Sequence, residues 1–250
     1  MTDHIIVNDD GAVRNVRINR PEKKNALTAE MYSALAAAIE DANNNPALRC
    51  TVIGGVPGAF TAGNDIEEFR RAAVSSGGLP RPSQGFLMAL ARNAKPLVAA
   101  VQGVAVGIGT TMLLHCDHVV AGSDARFATP FARLGILPEA GSSLIAPRLM
   151  GHARAFALLV MGRTLDASEA KTCGIVSTIV APGEVDAEAA KAAAEIAALP
   201  PESVAIARRL MRGSVEELVA RIEEEARLFR ERLSSPEARA AFEAFLSRKR

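Results

Sequence analysis

The stretch Lys95 to His115, KPLVAAVQGVAVGIGTTMLLH, can do chemistry with its backbone. Leu97 to Val101 is an apolar run suited to a strand buried on both faces, and Gly103, Gly107 and Gly109 punctuate the residues after it. Past Gly107, the residues Ile108 to Leu114 hold no Pro and one Gly. That predicts a buried helix whose first N–H groups have no partner within their own helix. Glycines before it let foreign atoms come close to the main chain. Such a helix start suits an anion or a developing oxyanion. A plain strand-to-helix packing turn needs the same residues, so on this stretch alone both readings stay open.

Two other readings of the stretch fail. Pro96 to Leu114 is nineteen uncharged residues, long enough for a membrane span, but it holds Gln102, Thr110, Thr111, three glycines and a proline. Gly107-Ile108-Gly109 is followed by Met112 where a dinucleotide fingerprint needs its third glycine, and no Gly-Lys-Ser/Thr follows for a nucleoside triphosphate.

The elements that would carry this turn read as an α/β chain. Asp9-Asp10-Gly11 between alternating runs predicts a hairpin over His4 to Asn19. Thr28 is placed to cap a helix through about Asn43, with Met31, Leu35, Ala38 and Ile39 on one face. Cys50 to Val56 reads as a short buried strand. It runs into Pro57 to Asp65, a loop rich in small residues at a strand's carboxyl end, where α/β proteins bind ligands. Ile66 to Ala73 reads as a short helix, Ser75 to Gly85 as a mobile loop, and Asp117 to Gly122 as another buried strand. Strand–helix alternation of this kind predicts a largely parallel sheet. Phe127 to Met150 is broken by Pro130, Gly135, Pro138, Gly141 and Pro147 into short turns and helices that would shape a site. From Ala153 the chain is mostly helical apart from Thr172 to Val180, with helices expected at Val185–Ala198, Pro201–Arg212, Val215–Leu233 and Pro236–Arg248. The expected division is a core over 1–198 and a helical region over 199–250, the latter packing its apolar sides on the core or on a second subunit.

Composition narrows the function classes. At 250 residues and 49% hydrophobic content the chain can bury a full core. Lys plus Arg is 29 against 28 acidic residues, so there is no basic footprint for nucleic acid. Cys50, Cys116 and Cys173 are widely spaced among apolar residues, as reduced core cysteines of a cytoplasmic protein would be, and the first residues show no secretory signal. His115-Cys116-Asp117-His118 invites a metal reading. It straddles the end of a helix and the start of a strand, so its side chains should diverge, and no metal is expected.

Taken together, NRPEKKNALT, FTAGNDIEEF, KPLVAAVQGVAVGIG and ARFATPFARLGILPEAGSS resemble, in order and spacing, the crotonase family of enoyl-CoA hydratases and isomerases. The closing AFLSRKR is similar to the family's end as well. The resemblance implies a spiral core of repeated ββα units, a C-terminal helical trimerisation region, and acyl-CoA thioester substrates. It also implies two oxyanion donors, the backbone N–H groups of Asn64 and Ile108. Lys24, Ala26, Leu27, Ala62, Asp65, Ile66 and Phe131 match positions lining the substrate and CoA channel; Phe245 and Lys249 are read as surface helix residues, with CoA contact in the family manner as the alternative.

Departures from the family pattern point to the reaction. Where the hydratases carry two glutamates, this chain has Thr111 and Phe131. Hydration needs groups to activate water and deliver a proton to carbon, so efficient hydration is not expected. One carboxylate remains, Glu139 in LGILPEAGSS, and this combination looks most like the peroxisomal-type delta-3,delta-2-enoyl-CoA isomerases, whose corresponding Glu is the acid/base. The implied reaction moves a 3-enoyl double bond to the 2-enoyl position and needs no metal or redox cofactor. Apolar neighbours Ile136, Leu137 and Ala140 would raise the Glu139 pKa. The same residue could instead cap the next helix. Asp65 is expected to cap its own helix, with Glu67 and Glu68 on that helix's solvated face. Residual hydration, thioester hydrolysis and non-catalytic acyl-CoA binding are the alternatives, and a homotrimer or dimer of trimers is the implied assembly.

Overall fold

The computed structural model describes residues 2–68 and 81–247. The chain opens with the expected hairpin: β1 (Ile5–Asp10) and β2 (Val13–Ile18) run antiparallel from Ile5 opposite Ile18 to Asp10 opposite Val13. Helix α1 (Ala29–Asn44) follows, and the Thr28 side chain accepts from the Met31 N–H to cap it. Met31, Tyr32, Leu35, Ala38 and Ile39 lie on its buried face.

A unit then repeats. β3 (Cys50–Gly54) is followed by β4 (Ala59–Thr61), a helical start at 66–68 and α2 (Arg81–Arg92). β5 (Leu97–Val101) is followed by β6 (Val104–Val106) and α3 (Ile108–Thr111), which tightens into a 3-10 turn over Met112–His115. β7 (His118–Gly122) is followed by β8 (Arg126–Ala128), then α4 (Ser142–Met150) and α5 (His152–Leu159). The rest comprises β9 (Leu165–Asp166), α6 (Ala167–Thr172), β10 (Thr178–Val180), α7 (Val185–Ala197), α8 (Pro201–Arg212), α9 (Val215–Leu233) and α10 (Pro236–Ser247).

In each repeat the first strand joins one sheet and the second joins another. The larger sheet has the order β1-β2-β3-β5-β7-β10, parallel from β2 onward; the smaller has β4-β6-β8-β9, parallel except for β8 with β9. Parallel strands need covering on both faces. α7 packs Val185, Ala189 and Ala193 against Val52, Val98 and Val120 of the larger sheet, while the opposite face meets the main core built around Phe60, Phe86 and Phe127.

Three sequence expectations change. The Pro57–Asp65 loop contains β4, and the glycine turn after β5 contains β6; each strand is three residues long, too short for a period-2 signal. The expected loop at Ser75–Gly85 is helical from Arg81, where α2 begins, while 75–80 lie outside the described residues. Among the described residues no helix is long and apolar enough to cross a membrane.

Candidate active site

The four-residue helix α3 is buried throughout, and its cap residue Gly107 takes φ +58°, a left-handed conformation that costs glycine little. The Gly107 carbonyl accepts from the Thr110 and Thr111 N–H groups, and the Gly107 N–H donates to Ala128. Ile108, first in the helix, has no carbonyl four residues back to reach. Among the described residues its N–H has no acceptor.

Asn64 arrives beside it on a second loop. Leu27 N–H donates to the Gly63 carbonyl and Asp65 N–H to the Leu27 carbonyl, so Leu27 and Asn64 pair like parallel strands. Successive groups along an extended backbone point to opposite sides. The Asn64 N–H therefore faces away from Leu27, and it too has no acceptor among the described residues. What brings the loops together is Gly63: with φ +87°, a Cβ there would lie 2.7 Å from the Val106 carbonyl oxygen and 4.0 Å from the Gly107 nitrogen. Only glycine permits that approach.

The carboxyl of Glu139 lies against the same helix. Glu139 is 6% exposed, and the Thr111 hydroxyl donates to its Oε1 across 2.5 Å. Burial pushes the Glu139 pKa up to about 8, the Thr111 hydrogen bond pulls the other way, and the Glu225 charge adds to the rise. The backbone is bent to achieve this, with Ala140 at φ +62° and Gly141 at φ +67° directly after Glu139. An alanine in the left-handed region costs roughly 1–2 kcal/mol, which the surrounding structure must offset. Part of the offset is His115, whose Nε2 lies 2.7 Å from the Ala140 carbonyl oxygen. Burial, opposed by that bond and reinforced by Arg212 and Arg208, lowers the His115 pKa to about 4. The ring is thus neutral, donating from Nε2 to Ala140 and accepting at Nδ1 from Arg212 across 3.5 Å.

An open cleft of about 370 Å³ adjoins the Asn64 loop and is lined by Lys24, Ala26, Ala62, Asn64, Asp65 and Ile66. Leu27 is buried behind them, lining a smaller cavity with Tyr32 and Ser83. Phe131, 4% exposed, presents its ring to Gly107, 3.9 Å from where a Cβ would stand. A cleft of about 430 Å³ beside Lys95 and Pro201 is larger but holds neither the two amides nor Glu139. Two amides without acceptors among the described residues, a helix start and a buried carboxylic acid are the kinds of group that stabilising an enolate oxygen and moving a proton require.

The family model for enoyl-CoA hydratase/isomerase matches residues 8–250. The chain belongs to that family. The hydratase/isomerase fold is shared closely: a crystal structure of an enoyl-CoA hydratase/isomerase from Pseudoalteromonas atlantica superposes with a TM-score of 0.92 at 39% identity, covering 98% of both chains. Rat enoyl-CoA delta isomerase 2 is 36% identical over 98% of this chain, which spans 64% of that relative's length. A probable enoyl-CoA hydratase of Rhizobium meliloti is 32% identical over 98% of this chain and 96% of its own.

In this family member, five of the channel positions the resemblance implied, Lys24, Ala26, Ala62, Asp65 and Ile66, line one cleft; Leu27 lines the smaller cavity next to it, Phe131 lines neither, and Phe245 and Lys249 fall where no side chain is described. Asp65 does cap: its Oδ1 accepts from the Glu67 and Glu68 N–H groups, and its Oδ2 pairs with Arg20 at 2.8 Å. Burial works against its ionisation, but the Arg20 hydrogen bond and those amides hold its carboxyl below the ordinary value. Glu68 is a correction. It is half-buried rather than solvated, because its Oε2 accepts from the Ala29 N–H at the start of α1. The capping alternative for Glu139 is a second correction, since the carboxylate on the first amides of α4 belongs to Glu225. The side chains of 115–118 diverge as their spacing implies: His115 to Ala140, Cys116 to Met112, Asp117 to Arg208, His118 toward Thr178.

Sequence reasoning missed four residues. Tyr32 Oη donates to Asn64 Oδ1 across 2.7 Å, and Asn25, fully buried, donates from Nδ2 to the Ala59 and Phe60 carbonyls while its Oδ1 accepts from Arg20 N–H. His115 and Glu225 hold the turn after Glu139. An asparagine after two lysines in a turn, at φ +58°, was the one local signal among them.

Proposed function

We propose that this family member is an enoyl-CoA isomerase that shifts a 3-enoyl-CoA double bond to the conjugated 2-enoyl position with one carboxylate. The observation that carries the reading is the buried Glu139 carboxyl hydrogen-bonded to Thr111, on the helix whose first amide has no acceptor among the described residues. Ionised Glu139 removes a proton from the α carbon of the thioester. The electron pair moves onto the carbonyl oxygen as a dienolate, held by the Asn64 and Ile108 amides and the start of α3. Protonated Glu139 then returns the same proton to the γ carbon, the carbonyl re-forms, and the double bond ends conjugated.

A raised pKa suits both halves of this cycle, because the group must give back what it takes. The absence of the two glutamates implied for hydration, with Thr111 and Phe131 in their places, supports isomerisation over water addition. So does the rat delta isomerase relative. No metal or redox group is called for by this chemistry, and the reading carries with it a cytoplasmic trimer or dimer of trimers.

The test is conversion of a 3-enoyl-CoA to its 2-enoyl isomer, followed by the ultraviolet absorbance of the conjugated thioester, for the parent and for Glu139→Gln. A loss of at least ~10²-fold in the variant is expected for removal of a general acid–base. Equal rates in the two proteins would overturn the mechanism.

A further inference from the structure

A carboxylate on the apolar stripe of a helix needs a reason. On α9 the buried positions are Ile222, Glu225, Ala226, Phe229 and Leu233, spaced as one face of a helix, while Glu223 and Glu224 turn outward. Glu225 is 6% exposed, and burial unassisted would be costly for its charge. It has three donors: Gly141 N–H at 2.7 Å on Oε2, and Ser143 N–H at 3.1 Å and Ser143 hydroxyl at 2.6 Å on Oε1. The Ser143 N–H is a first-turn amide of α4, and the Gly141 N–H belongs to that helix's cap residue, a glycine with no side chain of its own to cap with.

That grip falls on the turn that aims Glu139. Between Glu139 and α4 stand only Ala140 and Gly141, both left-handed, and the Ala140 carbonyl is held from the other side by His115. Resting on the reading of Glu139 above, we infer that Glu225 is a positioning residue for Glu139: by gripping Gly141 and Ser143 it holds the left-handed turn that turns the Glu139 carboxyl toward Thr111, and it sets a second negative charge behind that carboxyl. The surrounding charges are few. Glu139 faces Tyr32 on α1 and Glu225 on α9; Tyr32 also feels Glu68. Burial raises the Glu225 pKa; the Ser143 and Gly141 donors, and then Arg221 one turn before it on α9, favour its ionised form. Beyond Ala140 lie neutral His115 and the Arg208, Arg212 and Asp117 cluster.

The experiment compares the parent with Glu225→Gln and Glu225→Ala by two readouts: the pH profile of 3-enoyl-CoA isomerisation, split into kcat and KM, and infrared titration of the carboxylic-acid band that Glu139→Gln removes. In Glu225→Gln the charge goes and an acceptor oxygen stays. The Glu139 midpoint is expected to fall by at least about half a pH unit, as expected when a nearby like charge is removed. In Glu225→Ala the grip goes too, and kcat is expected to drop about 10-fold or more with KM within about 3-fold, since a misaimed base harms the transition state rather than ground-state binding. Glu225→Gln should restore part of that kcat, because its single amide oxygen can accept from Gly141 or from Ser143 but not replace both carboxylate oxygens. An unmoved infrared midpoint in Glu225→Gln overturns the inference, as does a Glu225→Ala variant with parental kcat. If Glu225→Ala does not fold, the Glu225→Gln midpoint decides. A parent without isomerase activity would sink the proposed reaction, yet the infrared midpoint would still decide the role of Glu225.

Discussion

Thr111 Oγ1 lies 2.5 Å from Glu139 Oε1, joining a helix start to a turn 28 residues further along the chain. Thr111 stands where the family resemblance implies a hydratase glutamate, and in the proposed reaction its hydroxyl is a donor to the one acid invoked, Glu139. The hydroxyl fits both states of its partner. When Glu139 is ionised, Thr111 donates to it; when Glu139 is protonated, its O–H can donate to Thr111, whose own proton turns to the Gly107 carbonyl at 3.3 Å.

Replacing Thr111 by Val removes a hydrogen bond that favours the ionised acid, at nearly constant shape. The Glu139 midpoint is expected to rise further, and the isomerisation rate near pH 7 to fall by about 10-fold, in line with a lost hydrogen bond to a charged group. The deficit should shrink at high pH. A pH–rate comparison of parent and Thr111→Val checks both the direction and the recovery.

Glu139 also couples stability to pH. Its folded pKa, about 8, stands above its unfolded value of 4.5, so between those values the native chain binds more protons than the unfolded one. The stability associated with the protonated acid is therefore complete below about 4.5 and lost as pH rises through about 8. Glu139→Gln abolishes this loss. Thermal melts at stepped pH should show the variant gaining on the parent across that window, by an amount on the order of a few kcal/mol, with the gap levelling off above it. A constant gap would mean that Glu139 titrates normally.

Tyr32→Phe deletes the donor to Asn64 Oδ1, a half-buried acceptor at the edge of the cleft. Because Asn64 supplies an oxyanion amide in the proposed reaction, kcat is expected to fall about 10-fold while KM changes little, and stability to drop by about 1–2 kcal/mol. Steady-state kinetics alongside denaturant unfolding separate the two effects. A loss confined to stability would mean that the Asn64 loop is held well enough without Tyr32.

Asn25→Ala strips the buried acceptor from the Arg20 N–H and the donors from two carbonyls of the β4 segment. It also places alanine at φ +58°. A destabilisation of about 3 kcal/mol is expected from the unpaired groups and the strained backbone together, read as a lowered Tm. Activity should fall with it, since β4 leads directly into the Asn64 loop.

Much of this protein was written locally in its chain. The hairpin around Gly11, the Thr28 cap, the β5 run and the helix start after Gly107 depend on neighbours within a few residues, where turn chemistry and periodicity act directly. Glu139, Asn64 and Ile108 could be singled out because they sit in motifs with recognisable spacing. Tertiary structure decided what those residues meet. Tyr32 reaches Asn64 across 32 residues, Thr111 reaches Glu139 across 28, and Glu225 reaches Gly141 across 84. No periodicity encodes such pairs, because each forms only after the sheets have brought distant segments into contact. The strands β4, β6 and β8 were hidden for the same reason, being three residues long and held by pairing with each other rather than by any pattern of their own. Even the proton affinity of Glu139 belongs to the fold: apolar neighbours in sequence suggest its direction, but its size comes from burial and from the Glu225 charge that the last helices bring behind it.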